Sequence, residues 1–115
     1  MSGSFQNYQP AKLLRLHLTE LDRLDGKPLY EAIVEKCHEL KIAGATVFRG
    51  LEGYGDTGEM HRSHVLTHDL PITVQIVDSV ENIERLLPVV EEMMETGLIA
   101  LSDVTVARIQ KTPGP

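Results

Sequence analysis

Three histidines, His61, His64 and His68, fall within eight residues of one another and stand beside Asp56, Glu59 and Asp69. Imidazole and carboxylate together form the donor set that Zn²⁺ or Cu²⁺ takes, so the cluster is a candidate divalent-metal site. The i, i+3, i+7 spacing is helical, yet the segment has no helical apolar stripe. In a strand, His61 and His64 would point to opposite faces. The other reading is a set of solvated loop histidines. His17 and His38 read as surface residues.

Just upstream, the stretch GATVFRGLEGYGDTG (44–58) holds five of the chain's nine glycines. A dinucleotide fingerprint places its glycines between a strand and a helix. These glycines lead instead into a loop and another strand, with the spacing G-x-x-G-x-G, and no G-x-x-x-x-G-K-[ST] occurs. Two readings follow. In the first, Gly50 marks a bulge, and Gly53 and Gly55 take positive φ where the strand breaks off. In the second, the same glycines let backbone N–H groups approach an anion in a nest-like concavity, with Arg49 assisting if it faces that side.

Nothing in the chain arranges itself for catalysis. Ser63 has histidines nearby but no elbow motif or ordered triad. Cys37 lies on an apolar helical face and reads as core. Glu91 and Glu92 read as a solvated helix surface. A non-enzymatic protein is expected.

The elements that would position these residues are legible from periodicity. KLLRLHLT (12–19) alternates Leu14, Leu16 and Leu18 with Arg15 and His17, which is a strand with one covered face. DGKP (25–28) is turn chemistry, with Pro28 suited to a first helical turn. Leu29, Ile33, Cys37 and Leu40 recur at helical spacing, and Gly44 is the expected stop. A second strand is expected over 45–52, and PITVQIVD (71–78) is a third. Asp78 with Glu81 resembles a capping box that opens a second helix, whose stripe is Ile83, Leu87, Val90 and Met94. Pro88 inside that stripe should bend the helix. DVTVARI (103–109) is the last strand. The order β-α-β-β-α-β is the ferredoxin-like arrangement, an α+β fold with a four-stranded antiparallel sheet. Both helices need the same face of that sheet. Leu13, Phe48 and Val77 then fall on the other face, enough apolar surface to suggest oligomerisation through it.

The 115 residues suit one domain: an N-terminal arm over 1–11, a folded unit over 12–110 and a tail over 111–115. A formal charge of −6 argues against a nucleic-acid partner. One cysteine fits a reducing compartment. No apolar run approaches the roughly 18 residues of a membrane span, and no signal-peptide layout opens the chain. A cytoplasmic protein with no direct membrane insertion is expected.

Four blocks taken in order, DGKPLYEAIVEKC, GATVFRGLEGYG, DLPITVQIVD and TGLIALSDVTV, carry a family resemblance. They resemble the proteins known as domain of unknown function 190, over about residues 12–109. That family is similar in turn to the PII signalling proteins and the CutA divalent-ion tolerance proteins, ferredoxin-like chains that assemble as trimers. The resemblance implies a homotrimer with sheets packed around a threefold axis. It also implies an adenine nucleotide or other small anion in clefts between subunits, and a signalling loop over 56–70 that contacts a regulated partner such as a membrane transporter or channel. Gly44, Thr46 and Val47 match the second strand of PII proteins, and Gly53, Tyr54 and Gly55 match their G-F-G with one residue inserted. The implied ligand-binding set is Arg49, Gly50, Gly53, Tyr54, Gly55, Gly97 and Arg108. One departure is plain. PII proteins follow their second helix with T-G-x-I-G-D-G-K, whereas here Thr96, Gly97 and Ile99 are followed by ALSD, without the phosphate-holding lysine. A mononucleotide or another less charged ligand suits that change better than ATP. Two alternatives stand beside this reading: a CutA-like metal binder using His61, His64 and His68, and a structural partner module with no ligand.

Overall fold

The computed structural model describes residues 7–53, 61–62 and 69–111. Strand β1 runs Gln9–Thr19 and is followed by two short strands, β2 (Arg23–Leu24) and β3 (Lys27–Pro28). Helix α1 spans Leu29–Glu39 and leads into β4 (Ala45–Arg49). Two-residue strands β5 (Glu52–Gly53) and β6 (His61–Arg62) pair with each other. Strand β7 (Pro71–Asp78), helix α2 (Val80–Met93) and strand β8 (Leu98–Val106) complete the chain. The main sheet has the order β4-β7-β1-β8, and every pairing in it is antiparallel. This is the expected ferredoxin-like α+β arrangement.

Register decides which residues share a face. Leu14 pairs with Ile76, Leu16 with Val74 and Leu18 with Ile72, and all six are buried. They meet Leu29, Ile33 and Cys37 of α1 and Ile83, Leu86 and Val90 of α2, so one core lies between the sheet and both helices. Leu86 is completely buried although it stands outside the expected α2 stripe, while Leu87 and Met94 pack at its margin. The opposite face carries Thr46 and Phe48 of β4, Thr73, Gln75 and Val77 of β7, Leu13, Arg15 and His17 of β1, and Leu98, Ala100, Ser102 and Val104 of β8. Two cross-strand polar pairs lie on it: Arg15 Nε donates to Gln75 Oε1 at 3.2 Å, and His17 Nδ1 stands 3.4 Å from Thr73 Oγ1. Phe48 is 50% exposed and Leu98 61% exposed there.

Local chemistry places the element ends. Asp25 and Gly26 both have positive φ, which a two-residue type I′ hairpin turn requires between β2 and β3. Pro10 sits in β1 beyond the last β1–β7 pair, Lys12 with Asp78, where only β8 pairs with the strand. Helix α1 stops earlier than Gly44, the expected stop. Lys41 N–H donates to the His38 carbonyl and Ile42 N–H to the Cys37 carbonyl, the double bond pattern of a Schellman cap. Lys41 takes the left-handed position at φ 61°, because Ile42 buries itself in the core and fixes the exit path. The Arg85 guanidinium on α2 adds a 2.7 Å bond to the Leu40 carbonyl at this helix end. Replacing Lys41 with glycine should raise stability by about 0.5–1 kcal/mol, read from the denaturant midpoint. A loss would mean that the lysine side chain contributes more than its backbone conformation costs.

The start of α2 also differs from expectation. Ser79, not Asp78, is the N-cap, and its hydroxyl accepts from Asn82 N–H at 3.1 Å. Asp78 instead ties three segments together. Its carboxylate accepts from Ala43 N–H (2.8 Å), Ser79 N–H (2.7 Å) and the Asn82 side-chain amide (3.1 Å). Partial burial works against its ionisation, but these donors and the positive charge of Arg108 outweigh it and hold Asp78 below the usual carboxylate range. Its stabilisation is therefore complete above the ordinary carboxylate pKa of about 4 and lost as pH falls through the lower folded value. Asp78→Asn should cost about 1–2 kcal/mol at neutral pH. That deficit should shrink in acid, so denaturation curves of the two proteins converge at low pH. A deficit independent of pH would assign the loss to geometry rather than charge.

Candidate functional site

The antiparallel register gathers four strand ends at one end of the sheet. Thr19 pairs with Pro71, Arg49 with Ile72 and His17 with Leu98, so β1 and β4 end where β7 and β8 begin. Arg49 of β4, Gly50 just after it and Gly97 before β8 lie at this end, on opposite outer strands of the sheet, and Gly53 follows within β5, opposite His61. Tyr54, Gly55, His64 and His68 lie outside the described residues, as does the His61 side chain. Among the described residues, no group of three or more His, Cys, Asp or Glu is placed to hold a metal ion, and no helix is long and apolar enough to cross a membrane.

The second strand, expected over 45–52, is interrupted. Strand β4 ends at Arg49, Gly50 N–H still donates to the Pro71 carbonyl at 2.7 Å, and pairing resumes with a different partner at Glu52. Gly50 is required by close approach: a Cβ there would stand 2.9 Å from Pro71 Cγ. Arg49 shares the helix side of the sheet by register with Ile72, and its guanidinium forms an ion pair with Glu20. Glu20 is a residue that the sequence reading missed. No local motif marks it, and only the register of β1, β7 and β4 brings it to Arg49.

Gly97 is placed by backbone demands. It has φ +120°, and a Cβ would come within 2.5 Å of the His17 carbonyl oxygen. It turns the chain from α2 into β8, which begins at Leu98 rather than at 103. The ALSD segment (100–103) is thus strand, with Ala100 opposite Arg15 and Asp103 opposite Lys12. The Lys12 ammonium forms an ion pair with Asp103 across this ladder. Strand β8 lies at the sheet edge with most side chains exposed, so it lacks the clean alternation by which a strand is recognised.

Arg108 lies at the other end. It follows β8 beyond Val106, which pairs with Gln9, and its charge acts on Asp78 at the end of β7. The length of β8 from Leu98 to Val106, about 26 Å at strand rise, lies between it and Gly97. One chain cannot bring Arg108 to the end of the sheet where Gly97 lies. A cleft beside Gly97, lined by Leu21, Asp22, Arg23, Met93, Glu95 and Thr96, holds about 190 Å³, below the roughly 300 Å³ of small-molecule pockets. Cys37 is buried, and burial pushes its thiol up to about 11, so it is not an activated nucleophile.

Comparisons with known proteins agree with this architecture. A UPF0166 protein of Aquifex aeolicus is 41% identical over 97 residues, covering 83% of this chain and 91% of the relative. Among solved structures, CPII, a nitrogen regulatory PII-like protein from Thiomonas intermedia K12 bound to ADP, AMP and bicarbonate, superposes with a TM-score of 0.69. It is 21% identical, and the match covers 88% of this chain and 92% of that one. The divalent ion tolerance protein CutA1 from Ehrlichia chaffeensis matches with a TM-score of 0.57 at 13% identity, covering 88% and 85%. These two likenesses establish the shared fold. The family model DUF190, described as uncharacterized ACR, matches residues 11–106, nearly the whole folded unit, and the chain is a member of that family.

Proposed function

We propose that this protein is a non-enzymatic, PII-like regulator in the cytoplasm that binds an adenine nucleotide between the subunits of a homotrimer. The observation that carries the reading is the division of the candidate residues. Arg49, Gly50 and Gly97 lie where β4 ends and β8 begins, with Gly53 following in β5, and Arg108 lies past the far end of β8, so a site that uses both ends needs two copies. The open sheet face, with Phe48, Leu98, Leu13 and Val77, supplies an apolar surface for packing those copies. CPII, of the same fold, was solved with ADP and AMP, which supports the choice of ligand class. With β8 in place of a phosphate-holding turn, the site favours AMP or a cyclic mononucleotide over ATP. Occupancy would be reported through residues 56–70 to a partner protein, by shifting the population of the surface that the partner meets.

Calorimetry with ATP, ADP, AMP and cyclic adenine nucleotides tests the ligand. The expected result is saturable binding, tighter for mononucleotides than for ATP. No heat from any of them at millimolar concentration would sink the nucleotide reading. Sedimentation should show a species of three chain masses, and a monomer at micromolar concentration would refute the trimer.

A further inference from the structure

The ion pair between Glu20, in the turn after β1, and Arg49, the last residue of β4, links the ends of strands that are not neighbours. Strand β7 lies between β1 and β4, and the pair reaches over its first residues. The turn after β1 also holds the segment that enters β7. Glu20 N–H donates to the Leu70 carbonyl at 2.8 Å, and Leu21 N–H donates to Asp69 Oδ1 at 3.4 Å. Glu20 and Leu21 therefore grip the residue that enters the glycine-rich connection, Arg49, and the residues that leave it. The two partners differ in access: the Arg49 side chain is 55% exposed, and that of Glu20 only 18%. A solute can reach the guanidinium while its carboxylate partner stays mostly covered.

We propose that Glu20 is a built-in competitor for the ligand's anionic group, so that a phosphate reaches Arg49 only by displacing it. This inference rests on the nucleotide reading above. A phosphate monoester carries more charge than a carboxylate and has three acceptor oxygens, so it exchanges favourably for Glu20 on a guanidinium fork. A carboxylate ligand merely replaces like with like, and an uncharged nucleoside has nothing to exchange. The displaced Glu20 keeps a largely covered charge without its partner, which offsets part of the gain and sets a threshold for binding. Glu20 thereby selects phosphorylated over unphosphorylated nucleosides. Displacement also uncouples the end of β4 from the turn that holds Asp69 and Leu70, linking occupancy to both roots of the connection.

The test is titration of the full chain, wild type and variants, with AMP and with adenosine. Glu20→Gln keeps the shape and removes the competing charge, so AMP should bind about tenfold more tightly and adenosine no differently. Arg49→Gln should weaken AMP binding by about tenfold or more, and adding Glu20→Gln to it should restore nothing. Equal AMP affinity in wild type and Glu20→Gln, or the same gain in the Arg49→Gln background, would overturn the role of Glu20 and leave the nucleotide reading standing. No AMP binding in either wild type or Glu20→Gln would overturn both. Circular dichroism of each variant confirms that the fold is retained.

Discussion

Replacing Gly97 with alanine is expected to destabilise the fold by about 3–5 kcal/mol, one of the largest effects available to a single methyl group here. Two costs combine. The backbone at φ +120° lies where L side chains are strained, and the new Cβ would meet the His17 carbonyl oxygen at 2.5 Å and Met94 Cε at 2.9 Å. The methionine end can swing aside, but the carbonyl belongs to the central strand β1 and is held by its ladder. Relief would require β8 to shift away from β1 at its first residue. Chemical denaturation of the purified variant checks this, and a loss below about 1 kcal/mol would show that the Gly97 turn relaxes freely. The result also governs how binding data are read. A Gly97 variant that fails to bind nucleotide reports first on the turn into β8, so ligand contact is better probed at Arg49 and Arg108.

The second large effect is expected at Phe48. Its ring is half exposed in a single chain and shares the open sheet face with Val77, Leu13 and Leu98. In the proposed trimer, Phe48→Asp would place a carboxylate on that face in every copy, and burying an unpaired carboxylate costs several kcal/mol. The variant should sediment as a monomer at micromolar concentration with its circular dichroism unchanged, because Phe48 lies outside the core. It should also lose nucleotide binding, since the cleft is formed between copies. Glu92→Lys on the exposed surface of α2 is the matched control and should remain trimeric. A Phe48→Asp protein that stays trimeric would move the interface away from the open sheet face.

Much of this architecture is written in local periodicity. The alternation of Leu14, Leu16 and Leu18 and the stripe Leu29, Ile33 and Cys37 announce a covered strand and an amphipathic helix, and both bury those residues. The departures arise where tertiary contacts outvote local signals. Lys41 takes a left-handed cap that a glycine would normally fill, because Ile42 must reach the core. Asp78 looks like a cap and is instead a tether, since the Ala43 amide comes to it from another segment. Strand β8 begins five residues before its legible part, because at the sheet edge its residues need not alternate. The candidate site is less legible than the fold. Its glycines stand out by composition, but the pairing of Arg49 with Glu20 and the separation of Arg108 from Gly97 follow from strand register alone.

The central claim is that each ligand site is shared between two copies, and mixing two damaged chains tests it most directly. One chain carries Arg49→Gln and the other Arg108→Gln, each expected to bind AMP poorly alone. Unfolded together in equal amounts and refolded, they assort at random, and about a quarter of all clefts, one in each mixed trimer, combine an intact Arg49 with an intact Arg108. Equilibrium dialysis should then recover AMP binding at wild-type affinity and about a quarter of the wild-type stoichiometry. No recovery in demonstrably mixed trimers, or undiminished binding by the Arg108→Gln chain alone, would contradict a site built from two copies.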